Sequence, residues 1–173
     1  MAISKEKKRE IVAKLADAFK EASSVAFVGF TRLSVADASK MRKQLSQVGV
    51  RYFVAKKTLI RKALEGCNYS GEVPALPGEV AVAWTKKSPV GDADAADDIT
   101  APARGVHGYG KKLKGALALL GGVFEGVFID AERALAIAAI PSMPVLRGMF
   151  VNVINSPIQG LVFVLDQISK KKQ

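Results

Sequence analysis

Gly148 to Leu165 is a run of eighteen residues without one charged side chain. Such a run must cross a bilayer, be buried in a core, or be covered by another molecule. A membrane-spanning helix needs about 20 largely apolar residues, so the length comes close. But Asn152, Asn155, Ser156, Pro157 and Gln159 sit at its middle, where a bilayer penalises polar groups most. Folding back onto a domain core would bury one face of a helix, and the apolar set here is wider than one face. Leu146, Met149, Phe150 and Val153 form one cluster; Leu161, Val162, Leu165 and Ile168 form a second beyond Ser156-Pro157. Val151, Val153 and Ile154 recur eleven residues later as Val162, Val164 and Leu165, and eleven residues is about three helical turns. The pattern reads as an apolar helix that seats the same kind of partner twice in series, by helix-in-groove anchoring.

The charge lies at the other end of the chain. Across 173 residues, 26 Lys and Arg stand against 16 Asp and Glu, yet 49% of residues are apolar, so this is no disordered basic tail. Residues 1–66 carry a net +9, residues 67–133 a net −2, and residues 134–173 a net +3 that comes mostly from Lys170, Lys171 and Lys172. A folded chain with a basic first third suits a polyanion. Lysines on helix faces are often only solvated surface; their concentration ahead of a net-negative segment argues for more. Zinc-finger spacing, leucine-zipper heptads and an aromatic RNA-recognition signature are missing, which favours RNA read through shape and backbone.

The remaining periodicities outline helices layered on a sheet. Ser4 is placed to cap a helix to about Ala22, with Ile11, Leu15, Ala18 and Ala22 inward. Val25-Ala-Phe-Val28 reads as a buried strand. Ser34 and Asp37 resemble a capping box opening a helix that points Val35, Ala38, Met41, Leu45 and Val48 inward and stops at Gly49. On that helix Lys40, Arg42 and Lys43 fall outside the apolar stripe. Val50 to Val54 alternates as a half-exposed strand. Lys56-Lys57-Thr58 opens a third helix to Gly66, with Arg61 and Lys62 one turn on, and its free N–H groups suit a phosphate. Glu79 to Trp84 reads as a strand, Asp92 to Asp98 as an acidic helix or loop. Gly115–Leu120 and Gly122–Ile129 read as two strands joined at Gly121-Gly122, and Ala131 to Ile140 as a helix before Pro141. The expected class is α+β, helices on a mainly antiparallel, ferredoxin-like sheet, followed by a long C-terminal helical extension.

Catalysis finds little support. Gly105-Val-His-Gly-Tyr-Gly-Lys111 fits neither dinucleotide nor Walker phosphate loops and reads as a glycine-rich turn. His107 is the one histidine and has no nucleophile at a recognisable spacing; Cys67, the one cysteine, excludes an intramolecular disulfide and a cysteine-based zinc site. No cofactor and no metal site are expected, and the acidic stretch fails the calcium-loop spacing. Met1 leads directly into the charged stretch Lys5 to Glu10, so no signal peptide is expected and a reducing, intracellular setting is the default.

Val28-Gly-Phe-Thr-Arg-Leu-Ser-Val35, Met41-Arg-Lys-Gln-Leu45, Val48-Gly-Val50 and Val54-Ala-Lys-Lys-Thr-Leu59 together resemble the family of large-subunit ribosomal protein ten, the stalk-base protein. Ala138-Ala-Ile-Pro-Ser142 and Ser156-Pro-Ile-Gln-Gly-Leu-Val162 are similar to the same family's C-terminal region, in the same order. The resemblance implies a ribosomal, cytoplasmic, non-catalytic scaffold. Residues 1–130 would bind large-subunit ribosomal RNA at the stalk base, beside ribosomal protein eleven. Residues 131–173 would anchor dimers of the acidic stalk protein, numbered seven/twelve, that recruit translational GTPases. Two eleven-residue segments imply two dimers, where some family members have three.

The RNA candidates are Lys5, Lys8, Arg32, Arg42, Lys43, Lys56, Lys57, Thr58, Arg61 and Lys62; the dimer candidates are the eight residues of the two apolar clusters. Two positions depart from the family pattern: Arg32 stands where the family has glycine, and Lys57 where it has asparagine. The alternative, an RNA binder anchored by a membrane tail, would need detergent for solubility; no membrane partner is expected on the leading reading.

Overall fold

The computed structural model describes residues 4–31, 33–67, 69–86, 98–113 and 115–172, with the side chains of 171 and 172 excepted. The chain divides into two compact units, 1–140 and 141–173. The first unit is built on five strands: β1 (Ala22–Phe30), β2 (Val50–Val54), β3 (Glu79–Lys86), β4 (Leu117–Phe124) and β5 (Val127–Asp130). They lie in the order β2-β3-β1-β4-β5, and every pairing is antiparallel. The helices of this unit are α1 (Lys5–Glu21), α2 (Val35–Gln47), α3 (Lys57–Glu65), α4 (Ala101–Lys112) and α5 (Ala131–Ala138). Taken alone, β1-α2-β2, β3-α4-β4 and the order β4-β1-β3-β2 are the ferredoxin-like split arrangement. The fold class is therefore α+β as expected, with α1, α3 and the β5–α5 segment added to that plan.

Strand alternation sends side chains to two cores. Ala26, Val28, Ala81 and Ala83 face Met41 and Leu45 of α2, Ala103 and Val106 of α4, and Ala138 of α5. Val25, Phe27, Val80 and Val82 face Leu15 and Phe19 of α1 and Ile60, Ala63 and Leu64 of α3. Burial of both sheet faces explains why β1 reads as a continuous apolar run rather than an alternation.

Several local expectations change. On α2 only Met41 and Leu45 are fully buried; Val35 is 84% exposed, because at about 100° per residue it stands roughly 120° around the axis from Met41, and Val48 is 55% exposed because it is the C-cap residue just past the helix end at Gln47. Ser34 does cap α2, its Oγ accepting from the Asp37 N–H at 3.1 Å and donating to Asp37 Oδ2 at 2.7 Å. Ser4 occupies the cap position of α1 without a side-chain hydrogen bond.

The hairpin is not at Gly121-Gly122. β4 runs through both glycines, and a Cβ there would stand 2.6 Å from the Ile129 carbonyl oxygen and 2.5 Å from that of Val25. These glycines permit close backbone approach beside a bulge in the β1–β4 register. The turn lies at Glu125 and Gly126, φ 51° and 80°, the two positive values that a mirror-image hairpin turn requires.

The glycine-rich segment Gly105–Lys111 is likewise no turn but the body of α4. A Cβ at Gly105 would come within 2.7 Å of Leu45 Cδ2, and one at Gly110 within 2.9 Å of the Leu117 carbonyl oxygen. Helix propensity gives way to tight packing at both positions.

The second unit is one helix, α6 (Met143–Lys172), with Pro157 inside it.

Candidate nucleic-acid interface and partner-binding helix

Because β1 and β2 both run antiparallel to β3, they run parallel to each other. Their C-terminal ends, with the starts of β3 and β4, mark one end of the sheet: Phe30 pairs with Glu79 and with Leu117. Two helices begin there, α2 just after β1 and α3 just after β2. The N-terminal half of α1 reaches the same place, since Ile11 shares a cleft with Phe30, Lys57, Thr58 and Leu59. Three helix N-termini thus gather at one sheet end, each with unpaired N–H groups and a partial positive charge.

The cations follow from that topology. Lys56 and Lys57 sit at the start of α3, and Lys8 lies one turn before Ile11, all exposed. Lys7 is four residues before Ile11 and so on the same side of α1, whereas Lys5 points roughly a third of a turn away from it. The Thr31 N–H donates to the Ala116 carbonyl at 3.0 Å, which brings the C-terminus of α4, with Lys111 and Lys112, to this end as well. Their charges also complement the negative end of the α4 dipole. Of the acids, Glu79 lines the cleft, Glu6 and Glu10 lie on the N-terminal half of α1, Glu10 paired with Lys14, and Asp37 is engaged in the α2 cap.

Not every candidate joins this cluster. Arg61 and Lys62 continue along exposed positions of α3, about one turn beyond Lys57 and Thr58. Arg42 and Lys43 belong to α2, on the opposite sheet face and about two turns from the helix start. The Arg42 guanidinium lies 5.7 Å from the centre of the Tyr52 ring, within cation–π range. Burial pushes the Tyr52 phenol up to about 12, against the pull of the Arg42 charge. Arg32 lies outside the described residues, as do residues 92–97 of the acidic stretch. Lys7, Lys111 and Lys112 were missing from the sequence candidates: Lys7 was signalled by its spacing to Ile11, and the α4 pair was hidden by reading that helix as a turn.

Asp98, the described end of the acidic stretch, is not simply solvated. Its carboxylate accepts from the Thr100 N–H at 3.1 Å and pairs with the Arg104 guanidinium. Burial raises its pKa, but the Arg104 and Thr100 contacts outweigh this and hold it below the usual aspartate value.

On α6 all eight clustered residues are exposed, from Leu146 at 42% to Val153 at 70%. Val145, Val151, Ile154, Ile158, Phe163 and Val164 are exposed too, so the apolar surface is wider than the two named clusters. Asn152, Asn155, Gln159, Asp166 and Lys170 fall within roughly 60° of each other around the axis at 100° per residue. They form one narrow polar stripe, closed by the Asp166–Lys170 ion pair at 2.7 Å. Pro157, between the clusters, removes one helical N–H. By length and composition, Met143–Lys170 is long and apolar enough to cross a membrane.

The family model for ribosomal protein L10 matches residues 3–100. The chain belongs to the ribosomal protein L10 family. It is 30% identical over 168 residues to the large ribosomal subunit protein uL10 of Staphylococcus carnosus (strain TM300), covering 97% of this chain and 95% of that one. The corresponding protein of Shouchella clausii (strain KSM-K16) is also 30% identical over the same shares, and that of Bacillus cereus (strain B4264) 29%. As a uL10 family member the chain is a non-catalytic structural constituent of the large subunit of the cytoplasmic ribosome.

Proposed function

We propose that the basic α+β part, residues 1–130, binds large-subunit ribosomal RNA at the base of the lateral stalk, next to ribosomal protein eleven. The helical part from residue 131 onward anchors dimers of the acidic stalk protein, numbered seven/twelve, which recruit translational GTPases. Within that part α5 packs on β4 and α4, leaving α6 to hold the dimers. The observation that carries this reading is the pairing, in one chain, of a sheet end ringed by cations with a 30-residue helix whose apolar side chains are all exposed. Phosphates supply most of the affinity at such a cationic end, through counterion release. An apolar helix supplies anchors for grooves on partner helices.

The RNA contacts fall to Lys5, Lys8, Arg32, Lys56, Lys57, Thr58, Arg61 and Lys62, with Arg42 and Lys43 as a separate patch on the other sheet face. The dimers are held by Leu146, Met149, Phe150 and Val153, and by Leu161, Val162, Leu165 and Ile168. Two segments hold two dimers.

Native mass spectrometry of the chain co-expressed with the acidic stalk protein tests the anchoring. One chain with four partner copies is expected. Six copies would reveal a third segment and overturn the count; no complex, with solubility only in detergent, would overturn the scaffold reading in favour of a membrane tail.

A further inference from the structure

The cleft at the basic sheet end has a volume of about 530 Å³, within the range of clefts that enclose small organic groups. Ile11, Phe30, Ala55, Leu59 and Val80 line it, and the start of α3 supplies Lys56, Lys57 and Thr58 along one side. Ile11, Ala55 and Val80 belong to the edge of the core between the sheet and α1–α3, so this is core-like surface left open to water. The combination is what matters: an apolar recess whose rim carries Lys56 and Lys57. An apolar peptide side chain would draw no benefit from those cations, and a bare phosphate none from the recess. A nucleotide matches both, because a flat base is joined covalently to an anion.

Resting on the RNA-binding reading above, we infer that this cleft receives one unstacked nucleotide of the bound RNA. The base enters the apolar lining, and the phosphate lies against the free N–H groups of α3 and the ammonium groups of Lys56 and Lys57. Glu79, exposed at the same cleft, offers a carboxylate acceptor to a base that carries an amino group. Proteins that read RNA commonly splay out a loop base in this way, and one base so held typically changes affinity by about tenfold or more.

The test uses a transcript of the stalk-base segment of the large-subunit RNA, carrying 2-aminopurine in turn at each unpaired purine. Binding of the full chain is expected to change the emission strongly at one position. Ala55→Trp and Ile11→Trp fill the cleft from two different elements, and circular dichroism with thermal melting shows which of them folds. A folded filled variant is expected to abolish the emission change at that position and to weaken binding about tenfold. The slope of affinity against salt should change by less than about one, because at most one phosphate contact is lost. Wild-type affinity in a folded filled variant, or an emission change that survives filling, overturns the inference. So does the absence of any responding position. If the wild-type chain shows no salt-dependent affinity for the transcript at all, it is the RNA-binding reading that falls.

Discussion

Asp98 and Arg104 tie the start of α4 to the segment before it, and the pair answers to pH in a definite direction. The folded-state pKa of Asp98 is lowered, so its contribution is complete above the ordinary aspartate value of 3.8 and is lost as pH falls through the lowered value. Asp98→Asn should cost about 1 kcal/mol at pH 7, since the Thr100 hydrogen bond survives and only the charge pair is removed. Urea unfolding at pH 7 and near pH 2 checks this: the difference from wild type should shrink at the acid end, and a gap of equal size at both would exclude the charge as its cause. Two glycines of α4 give a paired expectation at the same scale. A methyl group added at Gly108 would meet nothing within 4 Å, whereas one at Gly110 would face the Leu117 carbonyl at 2.9 Å. Gly108→Ala should therefore stabilise by about 0.5–1 kcal/mol, and Gly110→Ala should destabilise by about 1–3 kcal/mol. Thermal melts of the two variants must move in opposite directions.

Elements with a strong local signal were legible in the sequence. The Ser34–Asp37 cap and the stop at Gly49 are each settled within a few residues, and the structure has them; the alternation of Val50 to Val54 holds through Phe53 but ends with Val54 exposed at 41%. Elements were misplaced where distant packing outweighed local chemistry. Glycine marks turns when its freedom is used for φ, but Gly105 and Gly110 use the missing side chain to let α4 approach Leu45 and Leu117. Gly121 and Gly122 also use the missing side chain inside β4, Gly121 with a positive φ of 139° besides, so the turn lies four residues beyond that pair, at Glu125-Gly126. No spacing rule distinguishes these two uses. In α6 the reverse holds: its eleven-residue recurrence is local and readable, and it yields an expectation for the element alone. Ending the chain after Asn155 removes the second cluster and Pro157 while leaving Leu146, Met149, Phe150 and Val153. That truncation should hold one stalk dimer instead of two, giving two partner copies by native mass spectrometry. Retention of four copies, or loss of all, would count against one dimer per cluster.

The basic end of the first unit is a property of the whole unit rather than of any stretch of sequence. A net +9 over residues 1–66 was plain from the chain, but the direction of β1 and β2 decides which of those cations gather. Lys8, Lys56 and Lys57 meet where three helices begin, Arg42 and Lys43 are carried to the other sheet face, and Lys111 and Lys112 arrive from a segment of net negative charge. Counterion release turns this arrangement into a measurable slope. With stalk-base RNA, Lys56→Glu combined with Lys57→Glu should weaken binding at all sequences alike and reduce the slope of log affinity against log salt by about two. Lys111→Glu with Lys112→Glu should also flatten it, although these residues lie some fifty positions further along the chain. Lys20→Glu, at the opposite sheet end on the last turn of α1, should leave the slope within about 0.3 of wild type. Filter binding between 50 and 300 mM salt separates the cases. A slope lowered equally by all three changes would mean that RNA senses only the net charge of the unit, whereas loss confined to the first two places the phosphates at the end where α1, α2 and α3 begin.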